Sequence, residues 1–455
     1  MKKKRRMVVA LCLVLVFLLT ACGDSSETVK RGKKRATEST QKKDKDKDKD
    51  KDKDKKTPTP TPTPEEHLQL TLWTNVPESD SYYPAYSRAL RDMKERYPDI
   101  DVTVVATQYD DYKIKLKTAM QSNSVADIFC TWSGTLLEDF VNDGKVYCLD
   151  DMYRNYSDRL PEKMCRNSTF DGKKYGIPLN MSVVTLYANM DLLRRVGYEE
   201  VPTNSEDFFD LCDRLIDQGI TPFGCGGRDY DTWCIMEYLE PLMVKSAGAA
   251  TMDAVMRGNA SWNNEDIAWA VDLFEAMLYY DYFDEADRDR GNDEVKADFM
   301  NGKYAFYQNG SWNCADLAYS SQDIQACEFP VLDPTLSKRG QFVGGPNDTL
   351  AVSANSKHPE IAAQYAYELA QLISTYAYLD GAGIPAWKMD VDDSDVNYLT
   401  RQVCEMVADS DYLVLYGDNL LQPEVFETYY REVKKVFNGE IDGDQFVEDM
   451  MRAAW

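Results

Sequence analysis

Histidine is nearly absent: His67 and His358 are the only two in 455 residues. That scarcity excludes histidine-based acid–base catalysis, Ser-His-Asp triads and histidine-rich metal sites. Acidic side chains are plentiful, so a carboxylate-only route such as glycoside hydrolysis stays open. The cysteines never follow C-x-x-C spacing, so neither a zinc site nor a dithiol redox motif is indicated, and no metal or cofactor is expected. No stretch after residue 19 reaches the 18 or so apolar residues of a membrane-spanning helix. Basic residues are also scarce where the chain can fold. Of 52 basic and 77 acidic side chains, residues 1–66 hold 19 and 11, which leaves 33 and 66 for residues 67–455. The formal charge there is −33. Such a field repels phosphate backbones, so nucleic acid is excluded as a partner, and neutral or cationic ligands are favoured over anionic ones.

The first residues do hold a short apolar run. Lys2, Lys3, Lys4, Arg5 and Arg6 form a basic start, and residues 7–19 are apolar without interruption. That is too short to span about 30 Å of hydrocarbon but suits the core of a secretory signal peptide. The run closes with Leu19-Thr20-Ala21-Cys22-Gly23, which resembles the lipobox of bacterial lipoproteins. The resemblance implies a signal peptide over 1–21, cleavage before Cys22 and diacylglycerol on its thiol. Residues 22–66 then read as a lipidated cysteine and a disordered tether. Six Asp-Lys pairs from Asp44 to Lys55 and four Thr-Pro pairs from Thr57 to Pro64 offer no apolar surface to offset chain entropy. Setting Cys12 and Cys22 aside leaves nine cysteines, an odd number, and buried free thiols are their expected state.

Residues 67–455 are more than one core usually serves, so two lobes are expected. Strand and helix patterns alternate. Leu68–Trp73 reads as a strand, residues 82–97 as a helix stopped by Pro98, and Ile100–Val105 as a second strand. Tyr109–Gln121 follows as a helix, Ala126–Thr131 as an apolar strand and Leu136–Asn142 as a helix. The β-α-β-α-β-α order argues for a parallel sheet covered on both faces. Thr203 with Glu206 forms a capping-box pattern for a helix reaching about Gln218. Asn264–Tyr280 is amphipathic, and Pro359 opens a helix to about Thr375.

Several blocks together resemble one family. They are Phe170-Asp171-Gly172-Lys173-Lys174-Tyr175-Gly176-Ile177-Pro178, Leu186-Tyr187-Ala188-Asn189-Met190-Asp191, Gly219-Ile220-Thr221-Pro222-Phe223, Phe299-Met300-Asn301-Gly302-Lys303-Tyr304, Gly310-Ser311-Trp312 and Gly344-Gly345-Pro346-Asn347. In this order the chain is similar to sugar-type (family 1) extracellular solute-binding proteins of bacterial ABC importers. The resemblance implies an α/β, two-lobe periplasmic-binding-protein-like fold with a hinge and a ligand cleft between the lobes. It places lobe 1 at 67–180 and 331–377 and lobe 2 at 181–330 and 378–455. The chain would then cross near Pro178–Ser182, near Pro330–Pro334 and after about Thr375.

A sugar presents apolar C–H faces and a rim of hydroxyls, so its cleft needs flat aromatic surface and planar polar groups. In α/β sheets ligands bind beyond the carboxyl ends of the strands. Trp73 with Asn75, Trp132 with Ser133 and Trp312 with Asn313 stand at such points, and Trp233 follows a polar loop from Arg228. Each of these tryptophans would also serve in a core. Trp262 and Trp269, seven apart, are expected in the core, and Trp387 belongs either to hinge or to cleft. The resemblance also implies ligand contacts at Asn75, Trp132, Asp231, Trp312 and Asn347. The expected function is capture of a carbohydrate, an oligosaccharide in particular, and its delivery to ABC permease subunits by a monomeric, non-enzymatic lipoprotein on the extracytoplasmic face of the cell membrane. The alternatives are a binder of peptide or polyamine, or a carboxylate-dependent glycosidase.

Overall fold

The computed structural model describes residues 67–455 apart from Ser81, Asp409 and Trp455. The expected signal peptide, Cys22 and the tether lie outside the described residues. The chain opens with β1 (Leu68–Thr74), β2 (Ile100–Ala106) and β3 (Ile128–Trp132), joined by the helices Tyr83–Arg96 and Tyr109–Gln121. In β1 the burial alternates, with Leu70, Leu72 and Thr74 inward and Gln69 and Thr71 outward, as a period of two dictates. Both neighbours pair parallel to β1, the arrangement that the helical crossovers require.

β4 (Gly176–Pro178) leads through Leu179 into β5 (Asn180–Asn189). The chain then forms β6 (Thr221–Gly224), β7 (Tyr304–Gly310), β8 (Ile324–Cys327), β9 (Gln341–Gly345), β10 (Asp348–Val352), β11 (Ile384–Pro385) and β12 (Tyr412–Val414). The first sheet has the order β2-β1-β3-β10-β4, and β10 runs antiparallel to both its neighbours. The second has the order β12-β9-β5-β7-β6, with β8 and β11 also paired to β5. Each sheet is therefore mixed rather than purely parallel, because β5 and β10, the strands that follow the first two passages between the sheets, run against their neighbours.

β5 is buried along its whole length. Val184, Leu186 and Ala188 face a core with Phe208, Phe223 and Phe306, while Val183 and Tyr187 face another with Phe299, Tyr307 and Leu399. A strand covered on both faces reads as a continuous apolar run, and Met181–Ala188 is close to one. The first lobe has its own core of Leu70, Leu72, Ile128, Phe129, Leu350 and Tyr365.

The chain passes between the sheets at Leu179, at Pro346-Asn347 and in the segment between the Pro359–Leu379 helix and β11. The second passage corrects the expectation of a crossing near Pro330–Pro334. Those prolines mark a loop fastened within the second lobe, where Leu332 N and Asp333 N both donate to Lys245 O at 3.1 Å. The Lys245 ammonium reaches Glu328 at 2.5 Å and Gln341 O at 2.6 Å. β9 then still pairs with β5, Gly344 against Val183 and Gly345 against Ser182. At the third passage Ala386 and Trp387, expected in lobe 2, pack in the first core. Trp387 donates from Nε1 to Pro178 O at 2.8 Å, tying one passage to another on the hinge side.

Two local expectations shift. The helix Ser205–Asp217 is capped by Asn204, which accepts from Asp207 N at 3.0 Å, rather than by a Thr203–Glu206 box. Trp262 is buried, but Trp269 is 37% exposed and is not a core residue.

Candidate functional site

The carboxyl ends of strands in both sheets meet at the lobe boundary. From the first lobe come the ends of β1 and β3, with Asp348 at the start of β10 directly opposite Trp132. From the second come the segments after β6, β7, β9 and β12. Contacts join the two sides. Lys113 Nζ lies 3.3 Å from Asp418 Oδ2, Thr135 Oγ1 donates to Leu420 O at 2.8 Å, and Asn347 Nδ2 donates to Asn419 Oδ1 at 3.3 Å. Gly134 packs so tightly there that a Cβ on it would stand 2.3 Å from the Asn419 carbonyl oxygen.

The second-lobe wall is an aromatic corner. Trp312, half-buried, has ring centroids 6.0 Å from Trp233 and 6.3 Å from Tyr416, with planes inclined at 53° and 54°. Its ring lies against the backbone of Gly310, where a Cβ would come within 2.1 Å of it. Glycine is therefore what lets the indole sit on the strand end. Tyr416 is fixed through a 3.0 Å hydroxyl contact with Ser182. Trp233 opens the helix Thr232–Ala247, and Glu237 follows one turn later on the same face. Glu237 is 5% exposed, and its Oε2 has no hydrogen-bond partner among the described residues. Burial, then Glu240 and Asp418, push its carboxyl well above the usual range. Glu240 is pushed up to about 8 by burial and by Asp418, against the pull of its bonds from Gly417 N and the Tyr429 hydroxyl.

The first-lobe wall centres on Trp132, 2% exposed, with Tyr112 edge-on at 6.0 Å and Lys113 Nζ 5.0 Å above the ring. Its indole bonds the Asp348 carboxylate. Burial raises that carboxyl to about 7, with Asp80 and Asp418 adding like charge and Lys113 opposing. Asp80, itself raised by burial, accepts from Tyr82 N at 2.8 Å.

Of the residues expected at the ligand, the fold brings Trp233 and Trp312 together, sets Trp132 beside Lys113 and puts Asn347 at a passage facing Asn419. The others have partners within the fold. Ser133 is fully buried, and its N–H and hydroxyl donate to Asn347 O and Pro346 O, each at 2.8 Å. It is a strut for the passage rather than a ligand contact. Asn313, 3% exposed, donates its amide to Asn309 Oδ1 and Gly310 O. Asp231 is half-buried and accepts from Asn292 N at 3.0 Å, satisfying the start of the helix Asn292–Met300. Trp73 lies on the outward face of β1 under Lys115, 4.0 Å from its ring, and Asn75 is half-buried beyond the strand with its N–H toward the Cys130 thiol.

Sequence reasoning missed Lys113, Glu237, Asp348, Tyr416, Asp418 and Asn419. Asp348 directly follows the Gly344–Asn347 block, and Tyr416-Gly417-Asp418-Asn419 carries turn residues, so both had a local signal. The nine cysteines among the described residues are all free, as expected for buried thiols, six of them buried. Among the described residues no group of His, Cys, Asp and Glu is arranged to hold a metal ion.

Two mixed α/β lobes, three chain passages and an aromatic, carboxylate-lined boundary define a two-lobe solute-binding protein. The model of the bacterial extracellular solute-binding protein family matches residues 75–378, and the chain belongs to that family. It is the solute-binding component of an ABC transporter, a binding protein and not an enzyme. Among its relatives, the osmoprotective compounds-binding protein GgtB of Synechocystis sp. is 23% identical over 368 residues, 77% of this chain and 85% of the relative. The maltodextrin-binding protein MdxE of Bacillus subtilis is 23% identical over 313 residues, 67% and 71% of the two chains. A structure from work on xylan utilisation by Caldanaerobius polysaccharolyticus superposes with a TM-score of 0.77 at 29% identity, covering 85% of this chain and 99% of the other. A chitin oligosaccharide binding protein gives 0.76 at 21% identity, covering 86% and 98%, and so bears on the fold alone.

Proposed function

We propose that the chain is a lipid-anchored carbohydrate receptor that captures an oligosaccharide between its lobes and presents it, as a monomer, to ABC permease subunits. The observation that carries this reading is the Trp233–Trp312–Tyr416 corner beside buried carboxylates. Indole and phenol faces suit the apolar side of a pyranose, and carboxylate oxygens accept from its hydroxyls. The name of a relative that binds maltodextrin, and the xylan context of a similar structure, support the same class. Trp233 and Trp312 would stack on the sugar, with Trp132 and Asn347 on the opposite side; Trp73, Asn75 and Asp231 would act at its edges.

A thermal-shift screen with xylo-, malto- and chito-oligosaccharides tests it. A ligand at 100 times its Kd adds about 2.7 kcal/mol to the folded state, a readily measured rise in melting temperature. A shift with spermidine or a peptide library and none with any oligosaccharide would sink the carbohydrate reading. Anchoring is tested separately: Cys22→Ser should move the protein from the membrane fraction into the medium, and unchanged fractionation would argue against lipid at Cys22.

A further inference from the structure

The carboxylates at the lobe boundary come from both sides. Asp348 and Asp80 belong to the first lobe, Glu237 and Asp418 to the second. Asp348 feels the like charges of Asp80 and Asp418, and Glu237 that of Asp418. Geometry places them together: Asp348 stands opposite Trp132 in the strand ladder, Lys113 Nζ lies 5.0 Å over the Trp132 ring and 3.3 Å from Asp418 Oδ2, and Glu240, one turn after Glu237, accepts from Gly417 N beside Asp418. Two buried acceptors give an independent sign. Glu237 Oε2 and Asn180 Oδ1, on residues 5% and 3% exposed, have no hydrogen-bond partner among the described residues. Asn180 stands where the chain enters β5, near the Tyr82 hydroxyl: a Cβ on Gly383 would lie 3.0 Å from its amide and 3.1 Å from that hydroxyl. A buried acceptor without a donor is costly, so a fitting ligand must bring donors. Sugar hydroxyls do so. A ligand carboxylate brings one more acceptor and one more negative charge.

We infer that Asp348, with Asp80 and Asp418, makes the cleft a charge filter that admits neutral oligosaccharides and rejects those carrying a uronate. This rests on the carbohydrate reading and goes beyond it, because an aromatic corner alone would accept either. Like charges placed together at an interface strongly disfavour the wrong partner. The filter acts in the cleft, so it is expected to outlast added salt better than the repulsion of the whole acidic surface.

The experiment is calorimetric titration at pH 8 and 0.3 M salt with matched pairs. The probes are xylotetraose, maltotetraose and N-acetylchitotetraose, each against the same chain bearing one uronic acid. The wild type should bind a neutral member about 10- to 100-fold more tightly than its uronate partner. Asp348→Asn and, independently, Asp418→Asn should each shrink that ratio at least about threefold. Two variants from different lobes are used so that one failing to fold leaves the other to decide. Equal wild-type affinity within a pair, or a ratio unmoved in the folded variants, overturns the filter while the carbohydrate reading stands. If no neutral probe binds, the carbohydrate reading fails and the filter falls with it.

Discussion

Trp312 occupies a position that the backbone has cleared for it. Gly310 offers no side chain where the indole rests, and Trp233 and Tyr416 hold it from two sides while leaving it half-buried. Replacing it with alanine should weaken oligosaccharide binding about 5- to 150-fold, taking about 1–3 kcal/mol for one aromatic stacking face. The melting temperature should change little, whereas a truncated core tryptophan such as Trp262 costs about 3–5 kcal/mol of stability. Calorimetry and thermal melting on Trp312→Ala and Trp262→Ala decide it; unchanged affinity with a large melting drop at Trp312 would place that residue in the core. Trp312 was legible because a strand, a glycine and a turn surround it within a few residues. Ser133 and Asn313 misled for the same local reason. A polar side chain beside a cleft tryptophan reads as a ligand contact, yet buried backbone carbonyls also demand donors, and here they took these two. Tyr416 and Asp418 meet Trp312 and Lys113 from distant parts of the chain, and no periodicity reports such a meeting.

Strand order shows the same division at the level of elements. The alternation in β1 to β3 is visible in sequence because it depends on neighbours one or two residues away. The lobe that owns β9 is not visible, because it depends on the buried pair of Lys245 with Glu328, 2% and 7% exposed. Burial lowers the Lys245 pKa, and Glu328 restores it in part. Removing the partner leaves a buried ammonium facing one carbonyl, so Glu328→Ala should cost about 3–5 kcal/mol in urea unfolding. A loss below 1 kcal/mol would mean that β9 is held by strand pairing alone. Gly134 tests the boundary between the lobes. Its φ of +89° lies in a region that only glycine adopts easily, and a Cβ would meet the Asn419 backbone. Gly134→Ala is expected to cost about 1–3 kcal/mol of backbone strain in any arrangement, and its Cβ would also clash with Asn419 O wherever the lobes stay in contact. It should therefore hold them apart, giving a radius of gyration by small-angle scattering that stays larger than wild type under saturating ligand. The same contraction in both proteins would show that Gly134 does not govern the approach.

For the whole molecule, the buried carboxylates make stability depend on pH in a direction opposite to the usual expectation for acidic groups. Asp348 and Glu240 titrate at about 7 and about 8 in the folded protein, against ordinary values near 4, chiefly because burial penalises the charged form. Between those limits the folded state holds protons that the unfolded chain has released, so stability falls as pH rises through that window and levels off above it. Each pH unit crossed by one such group corresponds to about 1.4 kcal/mol as an upper bound. The exposed carboxylates whose pKa is lowered, Asp101 and Asp411 among them, lose their contribution only below the ordinary carboxylate range, so they add no slope above pH 5. The formal charge of −33 on residues 67–455 is almost complete by pH 5 and is screened by salt. In 0.3 M salt the melting temperature should therefore decline from pH 5 to pH 8. Glu240→Gln removes one contributor while keeping an acceptor for Gly417 N and the Tyr429 hydroxyl. It should flatten the decline, matching wild type most closely at pH 5 and exceeding it at pH 8. A wild-type melting temperature that rises across this range, or a variant that runs parallel to wild type at every pH, would show that these carboxyls are charged in the folded protein. The boundary would then be wet enough to hydrate them, and the pressure on a ligand to supply donors would be correspondingly small.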